Sequence, residues 1–174
     1  MSTLTVQNIQ GSSSSSNTIN VASGHKLHAP GHVVQAVQLH APGNVGTSSS
    51  SVLSTTSTSY VDFLTKAITT KLANSLIYVK IYSLYYTNAA AYGDGRLLRD
   101  STTIDECKYM YYTGSNDQFL PLSFQVLDSP SAAAGTTITY KMQMKRNSGG
   151  TLNCAYGDSG GKVNTNMILM EIAQ

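Results

Sequence analysis

Tryptophan is absent from this chain of 174 residues, phenylalanine occurs three times, cysteine twice and proline four times, and only 11% of residues are charged. Each shortage closes a class of protein. Cys107 and Cys154 are too few for a disulfide scaffold and lack metal-ligand spacing, so free thiols are expected, with one bridge left open. No apolar run reaches the ~18 residues of a membrane-spanning helix, and residues 1–30 lack the charged start and apolar middle of a secretory signal. Membrane insertion is therefore not expected, and the chain is expected to fold where it is made. Eleven basic and nine acidic residues leave a net charge of +2, which offers a nucleic acid backbone no broad electrostatic handle. Lys141, Lys145 and Arg146 are the densest basic stretch, and they read as the outward side of one strand.

What remains is rich in Ser, Thr, Gly, Asn and tyrosine, the last present eleven times. The chain reads as two parts, an extended N-terminal segment over residues 1–51 and a β-sandwich over residues 52–174. The first part carries serine runs at Ser12 to Ser16 and Ser48 to Ser51. Its apolar residues, Leu4, Val6, Ile9, Ile19, Val21 and Leu27, are too scattered to build a core of their own. They are the candidate anchoring residues, ordered by packing on other chains. Leu27-His28-Ala29-Pro30-Gly31-His32-Val33 returns as Leu39-His40-Ala41-Pro42-Gly43-Asn44-Val45. Two Pro-Gly turns with an apolar stretch between them suggest a collar ahead of the main domain. His25 and His28 stand three apart, where the imidazoles of a threefold assembly would converge on a metal. No carboxylate or thiolate accompanies them, so histidines in turns are the plainer reading, and neither metal nor cofactor is expected.

From residue 52 the dominant period is two. Ile77, Val79 and Ile81 alternate with Tyr78, Lys80 and Tyr82; Leu120, Leu122, Phe124 and Val126 repeat the pattern, as do Ile138, Tyr140, Met142 and Met144, and finally Ile168, Met170 and Ile172. Such alternation gives each strand one buried and one exposed face. Strands are expected near 33–39, 58–68, 75–86, 96–104, 107–113, 118–127, 136–146, 151–156 and 164–173, with 62–74 open to one helical turn. Turn-forming clusters separate them, including Asn88 to Gly95 and Asn147 to Gly150. The fold class is all-β, an antiparallel sandwich of jelly-roll type.

Gly157-Asp158-Ser159-Gly160-Gly161 resembles the segment that carries the nucleophilic serine of trypsin-like proteases. That chemistry needs a histidine oriented by an aspartate, both preceding the serine. All four histidines lie in the N-terminal segment, outside the family's Ala-Ala-His-Cys context, so a hydrolase on Ser159 is a remote alternative. Turn chemistry explains the pentapeptide, and no catalytic residue is assigned. Tyr109, Tyr111 and Tyr112 read either as a sugar-stacking platform or as packing between subunits. With the loops at 87–95, 113–118 and 157–162 they yield the candidate tip contacts Tyr92, Tyr111, Tyr112, Asp158 and Ser159.

Several segments carry a resemblance. Leu4 to Gln10 and Asn17 to Leu27 resemble the N-terminal segment of fibre and appendage proteins of tailed bacteriophages, especially those of marine cyanobacteria. Ser54 to Asp62, Leu97 to Thr102 and Ile168 to Ala173 are similar to the small C-terminal β-sandwich of the same proteins. The resemblance implies a virion structural protein assembled in the bacterial cytoplasm, a homotrimer whose residues 1–45 dock on other virion proteins while the sandwich projects. The absence of an extended shaft favours a short fibre, knob or decoration protein. Deleting residues 1–45 is expected to leave a soluble sandwich. The alternative is a host-surface glycan-binding module with the same fold.

Overall fold

A computed structural model describes residues 29–42, 50–87, 92–112, 118–157 and 164–174. The described residues form ten strands and no helix: β1 Val33–Pro42, β2 Ser50–Thr55, β3 Val61–Thr69, β4 Leu76–Thr87, β5 Tyr92–Arg99, β6 Thr102–Tyr112, β7 Gln118–Asp128, β8 Thr137–Ser148, β9 Leu152–Gly157 and β10 Asn164–Ile172. Their pairing is nested. β1 pairs with β10, β2 with β9, β3 with β8, β4 with β7 and β5 with β6, always antiparallel. The chain thus behaves as one long hairpin, folded at the β5–β6 turn and then rolled up. Lateral pairing of β10 and β9 with successive stretches of β4, and of β8 with β5, closes the roll. A six-stranded sheet (β1, β10, β4, β7, β9, β2) faces a four-stranded one ordered β3-β8-β5-β6. This is the expected antiparallel jelly-roll sandwich.

The period-two runs of β4, β7 and β8 do what alternation requires, whereas β10 is turned over: Ile168, Met170 and Ile172, expected on its buried side, face away, and Met167, Leu169 and Glu171 face the core. Ile77, Val79 and Ile81 of β4 and Met167 and Leu169 of β10 are fully buried, and they belong to one core with Leu64 and Ile68 of β3, Leu97 of β5 and Ile138, Tyr140, Met142 and Met144 of β8. Each such side chain contributes about 1.5–3 kcal/mol. The core's aromatic rings are Phe63, Phe124 and the fully buried Tyr140, whose hydroxyl donates to Asp128 Oδ2 at 2.7 Å while Arg99 holds Oδ1 at 2.8 Å. Burial, and then the Asp128 carboxylate, push the Tyr140 phenol far up, so it stays a donor. The bonds tie β7 of one sheet to β8 and β5 of the other.

Several expectations are corrected. The strand expected near 33–39 is β1, and it runs on to Pro42 through part of the stretch read as a collar, because Val37 and Leu39 pack on the core while its backbone pairs with β10 from Val33 to Pro42. The sandwich accordingly takes in β1 and the first two residues of β2 from the region expected to be an extended segment. β2 was not anticipated, since Ser50–Thr55 carries only two apolar residues. The helical turn considered over 62–74 is strand β3 followed by a turn whose Asn74 has φ 57°. The strand expected over 96–104 is broken at Asp100, which has φ 54° and bonds Thr139 through both its amide and its carboxylate. A short polar side chain tolerates that conformation, and a tight hairpin results.

A buried carboxylate holds the roll shut. Glu171 of β10 has no exposed surface, yet it accepts from the backbone amides of Lys71 (2.8 Å) and Leu72 (2.9 Å), from Ser75 Oγ (2.8 Å) and from Gln35 Nε2 (2.6 Å). It thereby pins the β3–β4 turn and β1 to the last strand. Burial pushes its pKa up, but the bonds from Leu72, Lys71, Ser75 and Gln35 outweigh that, and the group is held below the ordinary glutamate value. A lowered folded-state pKa means the unfolded chain binds the proton first, so stability from this group is complete above pH ~4.3 and is lost as pH falls through the folded value. Glu171→Gln should cost about 1–3 kcal/mol at neutral pH and give a shallower acid limb in urea denaturation followed from pH 7 to pH 3. An unchanged acid limb would remove Glu171 from this role. Truncation distinguishes the strands from what precedes them. A chain starting at Ala29 should fold with an unchanged far-ultraviolet spectrum, whereas one lacking residues 1–45 loses β1, uncovers one edge of β10 and should aggregate.

Candidate functional site

The outer side of the four-stranded sheet is a hydrogen-bonded ladder. Asp62, Gln143, Arg96 and Glu106 lie directly opposite one another on β3, β8, β5 and β6. Gln143 Nε2 donates to Asp62 Oδ1 at 2.5 Å and Arg96 Nε donates to Gln143 Oε1 at 2.8 Å. The Arg96 guanidinium stacks 4.0 Å above the Tyr60 ring, and the Tyr60 hydroxyl donates to Glu106 Oε1 at 2.8 Å. Burial, then the bond to Glu106, push that phenol well above its usual range. Gln143 and then Lys141, 3.0 Å away, hold Asp62 below the usual carboxylate range.

The next rung is built around Asp94, only 5% exposed. Its Oδ2 meets Lys145 Nζ at 3.2 Å, and its Oδ1 accepts from Asn147 Nδ2 at 2.7 Å and from the Tyr109 amide at 3.0 Å. Burial pushes the Asp94 pKa up, and the bonds from Tyr109, Asn147 and Lys145 more than reverse it, leaving a carboxylate ionised below the usual range. The glycines on either side of Asp94 explain how it reaches this place. Gly93 is buried, and a Cβ there would overlap the Lys145 carbonyl oxygen and Leu152 Cδ1. Between Gly93 and Gly95 the ladder is irregular. Gly93 faces Tyr111 and Gly95 faces Cys107, so Lys108, Tyr109 and Met110 bulge opposite the single residue Asp94.

Tyr109 sits in that bulge at φ 54°, a left-handed conformation that costs a bulky residue about 1–3 kcal/mol. Its amide is held by Asp94, and its ring stacks on the half-buried Tyr92 with centroids 5.6 Å apart and planes inclined by 28°. Tyr109 nonetheless remains 70% exposed. A strained backbone, a buried acceptor and a second ring combine to present one aromatic face to solvent.

The outer side of the six-stranded sheet has a different chemistry. Because Met167, Leu169 and Glu171 of β10 face the core, Ile168, Met170 and Ile172 face away. Across the strands Ala36, Met170, Tyr78 and Leu127 form one row, with Val33, Ile172 and Leu76 beside it. Val33 and Leu127 are 53% and 56% exposed. The next row, Gln38, Ile168, Lys80 and Gln125, is mostly polar, so the apolar surface is confined to one end of the sheet.

Of the tip contacts expected from sequence, Tyr92 takes part in the stack, as the first residue of β5 and not in a loop. Tyr111 and Tyr112 are backbone partners of Gly93 and Tyr92 on β6, and their side chains lie outside the described residues. Asp158 and Ser159 lie outside them as well, as do His25 and His28 and the anchoring residues Leu4, Val6, Ile9, Ile19, Val21 and Leu27. Among the described residues no three His, Cys, Asp or Glu side chains gather where they could hold a metal. Cys107 is a free, exposed thiol whose pKa is pushed up by partial burial and by Asp105 and Asp94. Sequence reasoning missed Asp94, Asn147, Tyr60 and Arg96. The available signal was Gly93-Asp94-Gly95, an acid between two glycines, which was read as a turn. No protein-family model matches the chain, and no curated protein is similar to it in sequence.

Asp94→Ala should strand the Tyr109 amide, Asn147 and Lys145 together. The expected cost is about 1–3 kcal/mol, with faster hydrogen exchange at the Tyr109 amide than at the β10 amides. Equal exchange at both places would show that Asp94 does not hold the bulge.

Proposed function

We propose that this chain is a structural protein of a bacteriophage particle, a short homotrimeric fibre, knob or decoration protein whose jelly-roll head is attached through the segment preceding β1. One observation carries the reading. At one end of the six-stranded sheet the outer side is apolar over two rows, Val33-Ile172-Leu76 and Ala36-Met170-Tyr78-Leu127, before it turns polar at Gln38, Lys80 and Gln125, where an antiparallel sheet facing water is expected to be polar throughout. A contiguous apolar face of this kind suits subunit contact, and copies of the same chain are its occupant in a homotrimer. The sequence resemblance to phage appendage proteins supports the same reading, as does the low charge of the chain, 11% of residues.

Two measurements test the proposal separately. Light scattering should give a trimer, and Val33→Lys or Leu127→Lys should lower the mass toward that of one chain while the melting temperature stays within a few degrees, because both sites are already more than half exposed. A chain that stays monomeric at high concentration overturns the trimer. Immunogold labelling of purified particles with an antibody to the sandwich should mark one structural feature; unlabelled particles overturn the structural role.

A further inference from the structure

We infer that the Tyr92–Tyr109 stack is a carbohydrate platform, its outer ring placed to receive the flat face of a hexopyranose whose hydroxyl groups are equatorial. The inference rests on the reading of the head as the projecting part of a particle protein and names what its four-stranded face touches.

The stack has one free side. Tyr92 is half-buried and covers one face of Tyr109, while Tyr109 keeps 70% of its surface exposed. The bulge that lifts Tyr109 interrupts the β5–β6 ladder between Gly93 and Gly95, at the place where the Asp94 carboxylate is buried and takes the Tyr109 amide. An observed left-handed tyrosine held by a buried acceptor is therefore evidence of use. An all-equatorial sugar exposes axial C–H groups on its ring faces, and their slight positive charge meets the negative face of a tyrosine ring. Its rim of hydroxyls needs donors and acceptors. Lys145, with 27% of its side chain exposed, and Asn147 both bind the Asp94 carboxylate that holds Tyr109, and Lys108, whose side chain is 64% exposed and lies 3.8 Å from the Glu106 carboxylate, immediately precedes Tyr109 on β6.

A protein partner fits this face less well. A stable protein interface needs about 800 Å² per partner around an apolar centre. Here Tyr109 rises from a polar ladder whose Asp62, Gln143, Arg96 and Glu106 side chains already satisfy one another, directly or through Tyr60, and the contiguous apolar surface lies on the other sheet.

Titration calorimetry of the full chain tests the platform, using cellohexaose, whose glucose units are all-equatorial, and a β-1,4-galactose hexamer, whose 4-oxygens are axial. Tyr109→Gly is the informative variant because glycine adopts φ 54° without strain. The expected result is cellohexaose binding that weakens about tenfold or more in Tyr109→Gly, is kept in Tyr109→Phe, and exceeds galactohexaose binding, with the Tyr109→Gly melting temperature unchanged or raised. Absence of binding by the natural chain, undiminished binding by Tyr109→Gly, or equal binding of the two sugars overturns the inference. So does a Tyr109→Gly chain that binds the sugar normally but no longer joins particles, which would make the stack a protein contact. Unlabelled particles together with Tyr109-dependent sugar binding would instead overturn only the structural role.

Discussion

The meeting of β10 with both β1 and β4 is the constraint on which the fold rests. In the nested pairing each outer strand pair encloses the next, and the last strand lies between the first and the fourth. The contacts that close the six-stranded sheet are therefore among the longest in sequence, and loop-closure entropy must be met before they contribute. Glu171 is placed where these strands meet. One carboxylate reaches β1 through Gln35 and the β3–β4 turn through Lys71, Leu72 and Ser75. Left without these partners, a buried charge at this position would be strongly destabilising.

The roll also decides what each outer surface can do. On the four-stranded sheet, antiparallel register brings Asp62, Gln143, Arg96 and Glu106 into line from four separate strands. A satisfied polar ladder is rigid, and rigidity lets the neighbouring bulge keep Tyr109 in a conformation it would not choose alone. On the six-stranded sheet the same geometry gathers Val33, Leu76, Tyr78, Leu127, Met170 and Ile172. One outer surface is internally saturated and the other is not. That asymmetry underlies the assignment of oligomer contact to one and solvent-facing recognition to the other.

The core strands β4, β7 and β8 were legible because burial on one side of a sheet imposes a period of two; β10 was legible as a strand but not in its facing, because Met167 to Met170 are apolar on both sides and the buried polar Glu171 lies on the core side. β2 was illegible because Ser50–Thr55 has only Val52 and Leu53 to mark it; its place comes from pairing with β9. The β5 start was hidden by Gly93 and Gly95, which signal a turn in most sequences; Gly93 here admits close packing against β8 and Leu152.

The sequence by itself determined the all-β class, the antiparallel sandwich, the alternating core residues of β4, β7 and β8 and the weak charge, because each of these depends on local periodicity or on composition. Only the tertiary structure decided the strand order, the inclusion of β1 in the sheet, the ionised and buried state of Glu171 and Asp94, and the choice of Tyr109 as the exposed ring. These depend on which distant strands lie side by side. A carboxylate's partners at positions 35, 71, 72 and 75 acquire meaning for residue 171 only after the chain has rolled up.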